Sequence, residues 1–141
     1  ITINTSGTTG PSKPIYQPVN KIKAANKIAR EVQMISNKSR ILTVCTLDHA
    51  GGLFAQTLPA YEVGAEIQIE KFNPFKWVKM ITSFTHSHLT PAMAVAVTKT
   101  KTWSDIDLSE KVITFQIAMI ISLRHISCQI LLLVTILGIS I

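Results

Sequence analysis

Cysteine is scarce in this chain. Its 141 residues hold two, Cys45 and Cys128, far apart, with no CxxC pair and no Cys/His cluster. That spacing argues against a disulfide scaffold and a zinc module, and a reducing, cytoplasmic setting is expected. Aromatic residues make up only 6%, too few to build a base-stacking surface, and no nucleic-acid recognition motif accompanies the basic excess. No nucleic-acid partner is expected. Acids are also few, eight against fourteen Lys and Arg, leaving a formal charge of +6. With 47% apolar residues, that balance calls for a buried core rather than disorder. No basic stretch followed by an apolar run and a small-residue cleavage site is seen near Ile1, so a secretory signal is not expected in this stretch.

The charge is unevenly spread. Six basic residues and one acid, Glu31, lie between Lys21 and Arg40, whereas from Val112 to Ile141 there is no acid and one base, Arg124. Glycine is nearly absent from the same region, with only Gly138 after Gly64. The chain therefore divides into a globular part, residues 1–111, and an apolar tail, residues 112–141. The tail's apolar runs, 117–123 and 130–141, are separated by Arg124 and His125, and neither reaches the roughly 18–20 residues that a membrane-spanning helix needs. A membrane contact through the tail is not the favoured reading. Because the chain opens on Ile1 and passes at once into a polar loop, a piece of a larger protein is expected.

Periodicity supplies the elements. Asn4 to Pro14 is dense in Thr, Ser, Gly and Pro and reads as loop, with no helix or strand. From Asn20, Ile22, Ala25, Ile28, Val32 and Ile35 recur every three or four residues, with Lys21, Lys23, Lys27, Arg30 and Lys38 between them. This predicts one amphipathic helix, its basic stripe a solvated face. Residues 40–45 read as a buried strand, and a helical stretch after Gly52 runs to about Glu62 before Gly64. Residues 65–69 alternate as a half-buried strand does. Asn73-Pro74 starts a helix carrying Phe75, Val78, Ile81 and Thr82. A strand over 84–90 and a helix over 91–99 follow, and Val112-Ile113-Thr114-Phe115 could open another strand. The order predicts an α/β fold: a layered, mostly parallel sheet with flanking helices.

The most informative segment is Thr5-Ser6-Gly7-Thr8-Thr9-Gly10-Pro11-Ser12-Lys13. Glycines let backbone N–H groups close on an anion, hydroxyls donate to phosphate oxygens, and lysine adds a mobile positive charge. It is not the common GxxxxGK[ST] loop. By composition it is either a triphosphate clamp or a Ser/Thr/Gly-rich linker.

The order of its residues resembles the phosphate-binding signature of the AMP-forming adenylating enzymes, the superfamily of acyl-CoA synthetases, peptide-synthetase adenylation domains and luciferases. Ser12 and Pro14 stand where that family usually has Pro and Gly. Leu47-Asp48-His49-Ala50-Gly51-Gly52-Leu53 looks like the family's His-containing segment. Leu58-Pro59-Ala60 through Gly64-Ala65, Thr85 to Pro91, and Asp107-Leu108-Ser109 are similar to later family stretches in order and approximate spacing. The resemblance covers about residues 1–111 and implies a partial N-terminal adenylation domain.

It also implies an ATP-dependent ligase that converts a carboxylic acid to an acyl-adenylate and passes the acyl group to a thiol such as CoA. Thr5, Ser6, Gly7, Thr8, Thr9, Gly10 and Lys13 would hold the β- and γ-phosphates of ATP beside Mg²⁺, and His49 would sit near the acyl and adenylate pocket. Lys13 and His49 are thus the candidate catalytic residues. His49 could equally serve as a cap or a hydrogen-bonding turn residue. Past Ser109 the family's adenine turn and Tyr-Gly-x-Thr-Glu segment do not appear, so the tail reads as a frameshift or truncation product, or as a genuine apolar tail. The competing reading is a catalytically inactive nucleotide- or membrane-binding fragment.

Other clusters are weaker. His86 and His88 lie two apart on a predicted strand and share a face, but no third ligand is near in sequence. Asp105 and Asp107 read as capping groups and Cys45 as a small buried hydrophobe. No metal site is expected.

Overall fold

The computed structural model describes residues 1–4, 11 and 13–115, with the side chain of Phe115 outside that description. The loop residues Thr5 to Gly10, Ser12, and the stretch 116–141 therefore lie outside the described residues.

The chain begins with a hairpin. Strands β1 (Thr2–Asn4) and β2 (Pro14–Tyr16) pair antiparallel, with Thr2 opposite Tyr16, Ile3 opposite Ile15 and Asn4 opposite Pro14. Both ends of the stretch read as loop are thus strand. Residues this rich in turn formers conceal strand ends, because backbone pairing to a partner some twelve residues away leaves no trace in composition. The polar loop is the connection between these strands.

Helix α1 (Val19–Gln33) follows Pro18 and ends where Met34 adopts a left-handed conformation, φ 55°. Its buried face differs from the one the apolar spacing suggests. Ile22, Asn26, Ala29 and Gln33 are buried, whereas Ile28 is 59% and Val32 42% exposed. Side-chain hydrogen bonding accounts for the rotation. Asn26 Nδ2 donates to Glu62 Oε1 (2.7 Å) and Gln33 Nε2 to the Ala55 carbonyl (2.8 Å), with Arg30 paired to Glu62 beside them. The helix thereby packs through polar groups on the segment after β3. Lys21, Lys23, Lys27 and Lys38 are exposed, as expected.

Strand β3 (Arg40–Thr43) has its last three residues buried. After it come a short helix α2 (Ala50–Gly52), a π-helical turn (Leu53–Thr57) and α3 (Leu58–Glu62), with Gly64 at φ 71° releasing the chain into β4 (Glu66–Ile69). Only glycine takes that φ without a steric penalty. Ile67 packs against the cluster of Ile35, Ile41 and Ala60, while Ile69 is 56% exposed. Helix α4 (Pro74–Met80) is capped as predicted, Asn73 Oδ1 accepting from the Lys76 N–H at 3.0 Å. Its buried face is Trp77 and Val78, continued by Ile81, whereas Phe75 and Thr82 point outward. Trp77 is drawn inward because its indole N–H finds Ser87 Oγ (3.0 Å), which in turn donates to the Leu42 carbonyl (2.8 Å); a buried indole needs such a partner.

Strand β5 (His86–Leu89), helix α5 (Pro91–Thr98) and strand β6 (Val112–Phe115) complete the sequence. The second sheet is parallel throughout, in the order β4-β3-β5-β6. This is the α/β layered fold that the alternation of elements predicts. The larger core, Leu42, Val44, Trp77, Val78, Ile81, Phe84, Leu89, Val97 and Leu108, packs α4 and α5 on one side of the sheet. Strand β6 belongs to this sheet although it lies beyond the sequence boundary after Lys111. No described helix is long and apolar enough to cross a membrane.

Candidate functional site

In a parallel sheet, ligands bind at the carboxyl ends of the strands where successive connections leave in opposite directions. Here β3 connects onward to β4 on one side and β5 to β6 on the other, so that point lies between β3 and β5. The residues that leave β3 there are Val44, Cys45 and Thr46, followed by Asp48, His49 and the Gly51-Gly52 turn.

The hairpin is tied to this turn. Asn4 N–H donates to the Asp48 carbonyl (3.0 Å), and His49 Nδ1–H donates to the Asn4 carbonyl (3.1 Å). His49 is half-buried, with Nε2 4.0 Å from Asp48 Oδ2. A hydrogen bond from the Thr46 side chain holds the Asp48 carboxyl below its usual range, with the neighbouring His49 a smaller cause. So the structure joins two features that sequence kept apart: His49, and the strand from which the polar loop departs. Lys13, exposed, sits immediately before β2 at the other foot of that loop. The cofactor-binding candidates Thr5, Ser6, Gly7, Thr8, Thr9 and Gly10 lie outside the described residues.

Gly52 holds the turn close to β3. A Cβ there would stand 2.0 Å from the Thr46 carbonyl oxygen and 2.8 Å from that of Cys45, so the approach is open to glycine alone. Thr57 Oγ1 donates to the Gly52 carbonyl (2.6 Å), and Thr43 Oγ1 to Thr57 Oγ1 (2.8 Å). Between the turn and the sheet lies a crevice too tight for a water molecule, lined by residues of β3 and the turn together with Gln56, Thr57 and His88.

The two strand histidines share a face but no ligand. His86 Nε2–H donates to the Gln33 carbonyl (2.8 Å), and its Nδ1 meets Thr85 Oγ1 (2.7 Å). His88 Nδ1 meets Thr114 Oγ1 at 2.8 Å. Burial disfavours the imidazolium in both, pushing His88 down to about 4. Both are neutral at pH 7. Among the described residues no three His, Cys, Asp or Glu side chains come together as a metal site. Asp107 Oδ1 accepts from the Ser109 N–H (2.9 Å), the capping role expected of it, while Asp105 is exposed and its Oδ1 accepts from Ser104 Oγ (3.2 Å). Cys45 is buried, its thiol donating to the His88 carbonyl (3.4 Å), and burial pushes its pKa up, as for a small buried hydrophobe. What sequence reasoning missed is Gln56 and Thr57, polar residues inside an otherwise apolar helical stretch, which is the one signal that could have marked them.

No family model and no curated protein matches the chain. Solved structures do. ATP-bound MatB from Rhodopseudomonas palustris superposes with a TM-score of 0.68 at 16% identity, over 81% of this chain and 23% of that one. The N-terminal domain of FACL13 from Mycobacterium tuberculosis, inhibitor bound, gives 0.68 at 17%, over 81% and 29%. The chain shares the fold of the N-terminal domain of the adenylate-forming ligases. A red-emitting luciferase from Phrixothrix hirtus is also similar, with a TM-score of 0.65 at 23% identity over 81% of this chain and 23% of that one. The chain thus spans about a quarter of the length of the enzymes it matches.

Proposed function

We propose that this chain is the phosphate-loop part of an AMP-forming acid–thiol ligase, a partial adenylation domain carried by a longer protein. In the first step, a carboxylate attacks the α-phosphorus of ATP, forming an acyl-adenylate and expelling pyrophosphate. A thiol, CoA or a carrier protein, then displaces AMP. The observation that carries this reading is the pair of hydrogen bonds joining Asn4 to Asp48 and His49. They anchor the foot of a hydroxyl- and glycine-rich loop at the carboxyl end of β3, where a parallel sheet binds ligands.

Each residue then has a task. Thr5, Ser6, Thr8 and Thr9 would donate hydroxyl hydrogen bonds to the β- and γ-phosphates, with Gly7 and Gly10 letting the backbone close on them. Lys13, at the loop's second foot, would neutralise charge gathering on the departing pyrophosphate, the quantity that limits an in-line displacement at phosphorus. His49, oriented through Nδ1–H, would present Nε2 towards the acid and adenylate. Mg²⁺ would supply further charge neutralisation beside the loop hydroxyls. The described carboxylates form no set that would hold it. A cytoplasmic location follows from the substrates this reading assigns.

The test is carboxylate-dependent ATP–pyrophosphate exchange in the longer protein, with Lys13→Ala alongside. Loss of about 10²-fold or more is expected from removing a charge that acts on the transition state. Unchanged exchange would remove Lys13 from the mechanism, and exchange with no carboxylic acid at all would end the ligase reading.

A further inference from the structure

Thr57 is a buried threonine, 8% exposed, in the π-helical turn, and the proposed reaction gives it no task. In an α-helix a threonine returns its hydroxyl to a carbonyl three or four residues back. Here the acceptor is the Gly52 carbonyl, five residues back, at 2.6 Å. The wider π-turn provides that reach, since the Leu58 N–H likewise bonds the Leu53 carbonyl five residues back. Such turns are rare and collect at functional sites.

A hydroxyl has one proton to give. Thr57 gives its proton to Gly52, so in the 2.8 Å bond between Thr43 Oγ1 and Thr57 Oγ1 the donor is Thr43. Thr43 is the last residue of β3 and 5% exposed. A buried relay thus leads from the sheet to the turn: Thr43, Thr57, then Gly52. His49 is bound into the same turn, because the Leu53 N–H bonds its carbonyl (3.1 Å) and its own N–H bonds the Thr46 carbonyl (3.4 Å). Among the described residues the turn is therefore tied at both ends, by Asn4 at Asp48 and His49 and by Thr57 at Gly52. The crevice that Thr43, Gly52 and Thr57 line is too tight for a water molecule, so water cannot take the hydroxyl's place.

We propose that Thr57, set by Thr43, is a positioning residue whose hydroxyl fixes the Gly52 end of the turn and, through it, the place of the His49 ring. The inference rests on the ligase reading, in which that ring faces the acid and the adenylate. Thr57 itself touches neither. Its effect on the reaction passes through His49, and a catalytic group displaced by a fraction of an ångström loses rate.

The test is the pair Thr57→Ala and Thr57→Ser. Both lose the methyl, and they differ in the hydroxyl alone. The His49 imidazole signals are followed by NMR in the chain itself, and ATP–pyrophosphate exchange is measured in the longer protein. Thr57→Ala puts the best helix former in a helical stretch; it should shift the His49 signals and lower kcat for exchange about tenfold or more, with KM for ATP within about twofold of wild type. Thr57→Ser, which keeps the hydroxyl, should restore both. Thr43→Ala and Thr43→Ser repeat the comparison one step down the relay and carry the test should Thr57→Ala not fold. Equal shifts in the serine and alanine variants place the control in the methyl and overturn the proposal. So does a lowered melting temperature in the alanine variants with the His49 signals unmoved, which is the mark of a merely structural hydroxyl. The two readings separate cleanly. A His49 shift in Thr57→Ala with no exchange in the wild-type longer protein leaves the relay and removes the ligase, whereas exchange that survives Thr57→Ala unchanged leaves the ligase and removes the positioning role.

Discussion

His88 should make this chain lose stability in mild acid, within a definite window. Its imidazole normally titrates at 6.5, and burial on β5 lowers it to about 4 in the folded chain. Well above pH 6.5 the ring is neutral folded or unfolded, and it contributes no pH dependence. Between 6.5 and 4 the unfolded chain takes up a proton that the folded chain refuses, so the unfolded state gains and stability falls as pH drops. Each pH unit is worth 1.36 kcal/mol, and the span of about 2.5 units makes the total about 3 kcal/mol. That is a large share of the 5–15 kcal/mol typical of a domain. His86 is shifted in the same direction by burial and adds to the effect. The carboxyls of Asp48, Glu70 and Asp107, held low by hydrogen bonds from Thr46, Lys76 and Ser109, lose their contribution as pH falls through the ordinary carboxylate range, so above about pH 5 the slope belongs to the histidines. Urea unfolding followed through the buried Trp77, at several pH values from about 7 down to about 4.5, measures the slope. His88→Gln keeps a neutral hydrogen-bonding side chain and removes the titration. The variant should lose most of the slope that wild type shows below pH 6.5. If both chains destabilise equally across that interval, His88 is not the neutral buried group described.

Two further outcomes follow from the same contacts. Gly52→Ala places a methyl 2.0 Å from the Thr46 carbonyl, so the turn must move; we expect loss of the His49–Asn4 hydrogen bond, read as a shift of the His49 ring signals and a lowered melting temperature. Asn73→Ala removes the cap on Lys76 N–H and should cost about 1 kcal/mol in urea unfolding, without moving the His49 ring signals, because α4 packs away from that turn.

Much of this fold is legible in short-range pattern. The run 40–45, the Asn73-Pro74 start, Gly64 at the exit of α3 and the Pro91 start of α5 are local signals, each set by backbone sterics or by a hydrogen bond within four residues. They suffice for element order, and element order with these connection lengths suffices for a parallel sheet. The loop's hydroxyls, glycines and lysine are equally local, and by composition they fit either a phosphate clamp or a plain linker. Where pattern misled was in deciding which face is buried. Ile28 and Val32 extend the apolar stripe of α1, yet Asn26 and Gln33 take the interior, because Glu62, Ala55 and Gln56 offer hydrogen bonds there.

Those partners lie 22 to 36 residues away in the chain, and no periodicity encodes them. The same holds for the candidate site. Sequence marked His49 and the polar loop separately; only tertiary structure could set the Asn4 carbonyl against the His49 ring, 45 positions apart. It alone brought Gln56 and His88 to one crevice, each with an atom unpaired among the described residues. The sequence by itself determined the helices and strands of the parallel sheet and their order, since these depend on neighbours along the chain. The tertiary structure decided which polar groups are buried and what each one faces, since those depend on neighbours in space.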